Sequence, residues 1–170
     1  MPRIGLLSDS HGRAETTARA VAVLIEHGVD MLIHLGDVGG TRVIDELLTV
    51  NAAGDPVPAR LVFGNCDWDA ADLDPYARSL GVSVDAPVGE LDLPAGRLIY
   101  QHGHLDNQMR FALASEPAWL CHGHTHEVRD ERVGPTRVIN PGALFRAARY
   151  TVAVLETESD RLTVLDVPRQ

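Results

Sequence analysis

The sequence has no lysine, little cysteine and no long apolar run. All 15 of its basic residues are arginine, which excludes Schiff-base chemistry through a lysine side chain. Cys66 and Cys121 are too few for a disulfide framework, and we expect both thiols to be reduced packing residues. No apolar stretch approaches the roughly 20 residues that a bilayer-spanning helix needs, and the N-terminus has no signal-like region. These absences predict a soluble, cytoplasmic protein.

Five short apolar runs are each followed by side chains that bind metal ions. The runs have strand length and contain β-branched or aromatic residues, so they predict β-strands at 4–7, 31–35, 60–63, 97–100 and 118–121. The segments after them are Asp9-Ser10-His11, Gly36-Asp37, Gly64-Asn65-Cys66-Asp67, His102-Gly103-His104 and Gly123-His124-Thr125-His126. Sites in layered α/β sheets form beyond the carboxyl ends of the strands, so these side chains are expected to converge. The pattern indicates a two-metal hydrolase site.

The order and spacing of these motifs, over residues 4–143, resemble the calcineurin-like metallophosphoesterase superfamily, and in particular its small bacterial and archaeal phosphodiesterases. Five motifs in the family's order are specific, whereas an isolated Asp-x-His would be weak evidence. The resemblance implies a four-layer α/β/β/α sandwich of two mixed β-sheets flanked by helices. We expect residues 1–170 to form a single metallophosphoesterase domain.

Periodicity and turn residues give a coarse map of the elements. Helices are expected at about 13–27, 41–53, 75–80 and 107–115. Further strands are expected near 82–84, 88–93, 128–132, 137–140, 150–156 and 161–167.

The resemblance also implies a set of metal ligands. One ion would be held by Asp9, His11 and His126, the other by Asn65, His102 and His124, and the carboxylate of Asp37 would bridge the two. Mixed imidazole and oxygen donors suit Mn, Fe, Ni, Co or Zn, so we expect two divalent transition-metal ions, with Mn favoured. Asp37, Asn65 and His104 are the expected catalytic side chains.

The implied activity is metal-dependent hydrolysis of phosphate esters, most of all small diesters, by a hydroxide that both ions activate. The 24 acidic residues give the chain a formal charge of −9. Tight binding to long nucleic acids depends on neutralising phosphates with basic side chains, so the expected partner is a small phosphodiester or nucleotide. No membrane contact is expected, and a homo-oligomer is left open.

Position 66 departs from the wider superfamily, in which a histidine often stands beside the leaving group. With Cys66 there, the leaving alkoxide loses a proton donor, a loss of roughly 100-fold to 10,000-fold in rate. His104 would partly substitute for that donor, or it hydrogen-bonds a ligand without acting in catalysis. Asp67 is interpreted as orienting the Asn65 loop.

Other residues have weaker signals. His34 is interpreted as a buried, hydrogen-bonded histidine, His122 as the end of a strand and His27 as a surface residue. Asn140-Pro141-Gly142 is expected to be a structural turn. Trp68 or Tyr76 would line a pocket for an aromatic leaving group, and Arg110 would contact phosphate; the alternative for the aromatic residues is a place in the core or an interface.

Two alternative functions come from the same resemblance. The retromer subunit shares this fold and uses it mainly for protein contacts, so the chain would be a binding scaffold. A scaffold can lose metal ligands, yet all seven positions are filled here. The Ser/Thr phosphatase branch is disfavoured because Gly36-Asp37-Val38-Gly39-Gly40 lacks that branch's Gly-Asp-x-x-Asp-Arg-Gly motif.

Overall fold

The computed structural model describes residues 2–170, in which short strands alternate with helices. The strands are Arg3–Leu7 (β1), Met31–His34 (β2), Thr49–Val50 (β3), Pro56–Val57 (β4), Ala59–Leu61 (β5), Ser83–Val84 (β6), Val88–Leu93 (β7), Gly96–Gln101 (β8), Trp119–Cys121 (β9), Val128–Val133 (β10), Thr136–Pro141 (β11), Thr151–Glu156 (β12) and Arg161–Asp166 (β13). The helices are Ala14–Glu26 (α1), Thr41–Glu46 (α2), Ala70–Ser79 (α3) and Asp106–Ala114 (α4). Within residues 2–170, no helix has the length and apolar character that crossing a bilayer requires.

Most strands belong to two mixed sheets. The first sheet has the order β13-β12-β1-β2-β5-β6, in which β1, β2, β5 and β6 are parallel and β12 and β13 are antiparallel to their neighbours. The second has the order β10-β11-β9-β8-β7, with the parallel strands at its centre. Strands β3 and β4 form a separate small hairpin.

The sheets pack face to face with helices outside. Along β1, Ile4 and Leu6 pack in the apolar layer between the two sheets, whereas Leu7 packs in the layer under the helices, as the two-residue period of a strand requires. On the outer face of the second sheet, Ala112 of α4 packs against Ile99 and Leu120. The predicted four-layer α/β/β/α sandwich is therefore confirmed.

Two helix predictions were wrong in extent. Helix α2 ends at Glu46 rather than near residue 53. The residues beyond it form the β3–β4 hairpin, whose turn the Asn51 side chain closes by accepting bonds from the amides of Ala53 and Asp55. Helix α3 begins at Ala70, five residues before the expected start, and contains Pro75. The first turn of α3 buries Leu73 in the core. The free energy gained by this burial offsets the loss of the backbone hydrogen bond that Pro75 cannot donate.

Candidate metal centre

Strand register brings the metal-binding segments to one edge of the sandwich. In the first sheet, Leu7 pairs with His34 and His34 with Leu61, so the loops that carry Asp9, Asp37 and Asn65 leave the sheet side by side. In the second sheet, Tyr100 pairs with Cys121, which places the loops with His102 and His124 together. The carboxyl ends of parallel strands thus deliver the expected side chains to one place.

These loops hold an unusual backbone conformation. Left-handed φ angles between 45° and 70° occur at five of the seven predicted ligands: Asp9, His11, Asp37, His124 and His126. Each such residue costs on the order of 1–3 kcal/mol and persists only where the surroundings fix it. Amides of the first loop provide that fixation, because Asp9 N donates to Gly36 O at 3.0 Å and His11 N donates to Asp37 O at 2.9 Å. Strain concentrated on these residues indicates a functional role for the loops.

The first cluster contains Asp9, His11 and His126. Asp9 Oδ1 lies 3.2 Å from His126 Nε2 and 3.8 Å from His11 Nε2. The other carboxylate oxygen accepts bonds from Ser8 Oγ at 2.6 Å and from the His124 amide at 3.1 Å. Among the described residues, Asp9 Oδ1 and His11 Nε2 are shielded from water and have no hydrogen-bond partner.

Unpartnered buried acceptors are costly, so these atoms fit a bound cation. Burial lowers the pKa of His11, and this favours the neutral imidazole that can coordinate a metal. The three donor atoms of Asp9, His11 and His126 all lie within 4.8 Å of one another. The cluster is therefore suited to a divalent ion.

The second cluster is centred on His102. Its Nδ1 lies 2.8 Å from Leu35 O, an acceptor only, so Nδ1 carries the proton. The other nitrogen, Nε2, lies 3.2 Å from Asp37 Oδ2 and 3.1 Å from Asn65 Oδ1. Three acceptor atoms therefore converge on one point, which either a proton or a metal ion can occupy.

Electrostatics at this point agrees with a cation. Burial lowers the pKa of His102, but the hydrogen bond to Asp37 and the negative charges of Asp37 and Asp9 together outweigh this and leave the pKa raised overall. Burial raises the pKa of Asp37, but the hydrogen bonds that it accepts from His102 and the Cys66 amide hold this pKa well below the usual range. Asp37 is thus ionised near neutral pH and attracts positive charge.

Asp37 connects the two clusters. Its Oδ2 atom lies 3.5 Å from His11 Nε2 as well as 3.2 Å from His102 Nε2. This is the place expected for a bridging carboxylate. His124 lies further out: it is exposed, and its ring centroid is 5.2 Å from that of His102.

The structure corrects the interpretation of Cys66. Its side chain is exposed and does not pack in the core, whereas Cys121 is buried as expected. The thiol, His11 and Asp37 offer donor atoms within 4.8 Å of one another. Position 66 therefore faces the metal centre, and the sequence signal for this was its place directly after Asn65.

Asp67 ties two loops of the site together. It is 5% exposed, and it accepts bonds from the amides of Val38 at 3.2 Å, Gly39 at 2.9 Å and Gly64 at 2.8 Å. The orienting role predicted for Asp67 is confirmed by these contacts. Burial raises its pKa, and the three amide bonds oppose that effect.

Two glycines allow the loops to approach closely. A Cβ atom at Gly64 would overlap Asp37 Oδ1 and lie 2.6 Å from Asp37 N. At Gly123 it would overlap Ser8 Oγ and lie 2.7 Å from Asp9 Oδ2. Any larger residue at either position would displace a predicted carboxylate ligand.

His104 lies beside the second cluster. Its ring centroid is 5.4 Å from that of His102 and 6.2 Å from that of His124. Its Nδ1 atom has no partner among the described residues. Burial lowers the pKa of His104, and electrostatic repulsion from the neighbouring imidazoles lowers it further.

The other three histidines, His34, His122 and His27, lie in the places that the sequence predicted for them. His34 is fully buried, with Nε2 2.8 Å from Ser10 Oγ and Nδ1 accepting from the Gly36 amide at 3.2 Å, as predicted. Burial lowers its pKa to about 3. His122 directly follows β9 and is buried, and His27 is exposed at the end of α1.

Tyr76 and Trp68, the two aromatic residues considered for a leaving-group pocket, lie in different surroundings. Tyr76 packs against the core under the helices and donates to Asp45 Oδ1 at 2.5 Å, so it does not line the metal centre. Trp68 is 90% exposed, three residues beyond Asn65. Arg110 lies on α4 beside the exposed ring of Phe111, in a shallow depression that Asn107 and Ala114 also line.

The Asn140 turn is structural, as expected. Asn140 Nδ2 donates to Gly123 O at 2.9 Å and to Thr125 Oγ1 at 3.0 Å, which fixes the loop between His124 and His126. Sequence analysis missed the loop after this turn, which places Phe145 against His11 with ring centroids 5.1 Å apart. No local sequence pattern signalled this contact, because it depends on β11 ending at the same edge of the sheet as β9.

Comparison with known proteins agrees with this geometry. Residues 2–160 match the calcineurin-like phosphoesterase superfamily domain. Phosphodiesterase MJ0936 from Methanocaldococcus jannaschii is 26% identical over 161 residues, covering 92% of this chain and 93% of that protein. The probable metallophosphoesterase YsnB from Bacillus subtilis is 33% identical over 171 residues, covering 94% of this chain and 86% of that protein. A solved archaeal phosphodiesterase structure superposes with a TM-score of 0.85 at 24% identity, covering 97% of this chain and 99% of its own. Because the match extends over nearly the whole sequence, the chain belongs to the calcineurin-like phosphoesterase superfamily.

Proposed function

We propose that the protein is a metal-dependent phosphodiesterase that hydrolyses small phosphate diesters. The observation that carries this is the single oxygen, Asp37 Oδ2, placed between the imidazoles of His11 and His102. The relative from Methanocaldococcus jannaschii, named a phosphodiesterase, supports the same reaction. We further propose that residues 1–170 act as one catalytic domain in the cytoplasm.

The proposed ligand assignment follows the two clusters and adds His124, whose ring lies beside that of His102. Asp9, His11 and His126 would hold one ion, Asn65, His102 and His124 the other, and Asp37 both. Two divalent ions, when bound, lower the pKa of a water that they share and neutralise charge on the phosphoryl oxygens. The donor set of imidazoles, carboxylates and an amide oxygen suits divalent transition-metal ions, and Mn is the ion that we propose.

The chain's own residues orient this centre. Leu35 O fixes the tautomer of His102, so that Nε2 presents its lone pair to the site. Asp67 fixes the Asn65 loop, and the Asn140 amide fixes the His124 loop. His104 lies beside His102 and His124 without such an anchoring role, and we propose it as the proton donor to a leaving alkoxide.

Charge explains why substrate binding should require the metals. The chain carries a formal charge of −9, and the carboxylates of Asp9 and Asp37 stand at the point where the phosphate would bind. Bound divalent ions would be the largest positive charges there. Chelation is therefore expected to abolish phosphate-ester binding as well as turnover, and measurable affinity in the metal-free protein would contradict this.

The decisive experiment compares a diester with its monoester. Chelator-stripped protein is given Mn, Ni or Zn singly and assayed with bis(p-nitrophenyl) phosphate and p-nitrophenyl phosphate. Metal-dependent cleavage that favours the diester is expected, and Asp37→Asn should remove it. His27→Ala, a surface histidine at the far end of α1, serves as the control. Absence of cleavage with ions bound would instead favour the protein-binding scaffold.

The substrate class and assembly are part of the proposal. The acidic charge favours a small diester or nucleotide over long nucleic acid, since long nucleic acid requires many phosphate contacts from basic side chains. A homo-oligomer is compatible with the unpaired edges of the outer strands β6 and β10.

A further inference from the structure

Two arginines contact one aromatic ring at the side of the first cluster. Arg13 Cζ lies 4.7 Å from the centroid of the Phe145 ring, and Arg146 Cζ lies 5.2 Å from it. The same ring is 5.1 Å from the imidazole of His11. The Phe145 ring therefore contacts both guanidinium groups and also His11, a predicted metal ligand.

The backbone attaches both arginines to the metal loops. Arg13 directly precedes α1, and its amide donates to Ser10 O at 2.9 Å. Arg146 has a left-handed φ of 46°, and its carbonyl oxygen lies 3.4 Å from His126 Nδ1. A non-glycine residue in this conformation is strained, so the surroundings hold Arg146 where it is.

The two guanidinium groups lack the anionic partners that other arginines have. Arg60, Arg137 and Arg149 each form an ion pair with an aspartate. Within residues 2–170, by contrast, neither Arg13 nor Arg146 donates a side-chain hydrogen bond or meets a carboxylate within 4.0 Å. A cation–π contact holds a guanidinium in place but uses none of its five N–H donors.

Two exposed cations with free donors, both held at one aromatic ring in a chain of charge −9, are suited to bind an anion. We propose that Arg13 and Arg146, held by Phe145, bind a second phosphate group of the substrate. The preferred substrate class is then a phosphodiester that carries a further phosphate beside the diester that is cleaved. This inference rests on the proposed phosphodiesterase function for the position of the scissile group.

The kinetic test uses two probes that differ by one phosphate. Thymidine 5′-(p-nitrophenyl phosphate) has a single anionic group, and the same compound with a 3′-phosphate has the second one. The wild-type protein loaded with Mn is expected to prefer the bisphosphorylated probe in kcat/KM. Arg13→Gln and Arg146→Gln should each lower this preference by about tenfold, the scale of one charge-assisted hydrogen bond.

Matched variants separate recognition from stability. Arg161→Gln removes an arginine at the opposite end of the first sheet, where Arg161 pairs with Glu156 and Glu156 with Arg3, and it should leave the preference unchanged. Phe145→Leu keeps both charges but removes the ring, and it should lower the preference as well. A preference that is the same in wild type and in the double arginine variant would overturn the proposal.

A binding measurement distinguishes this proposal from the proposed function. Calorimetry on the Mn-loaded protein compares thymidine 3′,5′-bisphosphate with thymidine 5′-monophosphate, and no turnover is required. Tighter binding of the bisphosphate that is lost in the double variant supports the anion site even if neither probe is cleaved. If both probes are cleaved with equal efficiency and both nucleotides bind equally, the proposed phosphodiesterase activity stands and the proposed anion site is rejected.

Discussion

Replacing Asp67 by alanine should loosen the metal centre without removing a predicted ligand. The carboxylate accepts three amide hydrogen bonds, and the Val38 amide belongs to a residue with no exposed surface. Leaving a shielded donor unpaired costs on the order of 1–3 kcal/mol. Gly39 is exposed, so water can replace the lost acceptor there. The shielded Val38 amide at about 1–3 kcal/mol and the half-buried Gly64 amide at about 1 kcal/mol then set the loss of unfolding free energy at about 2–4 kcal/mol.

The assay is thermal unfolding of the chelated protein. For a chain of this size, that loss corresponds to a fall in Tm of roughly 4–16 °C. Asp67→Asn should cost only about 1 kcal/mol, because Oδ2 alone accepts the Val38 and Gly64 amides and an amide oxygen in its place keeps both bonds. Asp69→Ala, an exposed aspartate without a side-chain capping bond, is the control.

Metal affinity provides the second measurement. Asp67 holds the Asp37 and Asn65 loops together, so its loss should weaken metal binding by about 10-fold to 100-fold, the usual effect of removing a group that orients ligands. The reasoning is refuted if Asp67→Ala unfolds within about 0.5 kcal/mol of the Asp69→Ala control, the range of a neutral surface substitution. It is also refuted if asparagine and alanine at position 67 are equally destabilising.

Three further predictions concern single positions. Gly64→Ala should displace Asp37 and lower metal affinity by at least tenfold in calorimetry, and unchanged affinity would contradict the close approach. The pKa of buried His34 is about 3 against an ordinary 6.5, so between these values the unfolded chain takes up a proton that the folded chain does not. Chelated wild-type protein should therefore lose up to about 1.4 kcal/mol per pH unit more than His34→Gln on acidification, and denaturant titrations at pH 7 and pH 5 check this. Cys66→His should raise kcat/KM for diesters with poor leaving groups at least tenfold over Cys66→Ser. If kcat/KM rises by the same factor for diesters with good leaving groups, the introduced histidine does not act as a proton donor.

The sequence was sufficient to locate the metal-binding segments because strand ends are dictated by local pattern. An apolar run such as 31–35 fixes a strand, and parallel pairing then fixes where Asp37 emerges. Helix α2 was predicted too long because the short β3–β4 hairpin, whose turn the Asn51 side chain closes, occupies the end of the predicted segment. The contact between His11 and Phe145 joins loops of different sheets, so no local pattern encodes it. The exposure of Cys66 likewise depends on the packing of the loops around it.

The placement of the two clusters across the sandwich has a mechanical consequence. Asp9 and Asn65 leave strands of the first sheet, whereas His102 and His126 come after strands of the second. An ion bound to either cluster would therefore act as a cross-link between the sheets, comparable in its effect on chain entropy to a disulfide that closes a long loop. The two cysteines form no disulfide, so bound metal ions would supply the cross-links that hold the two sheets together at this edge of the sandwich.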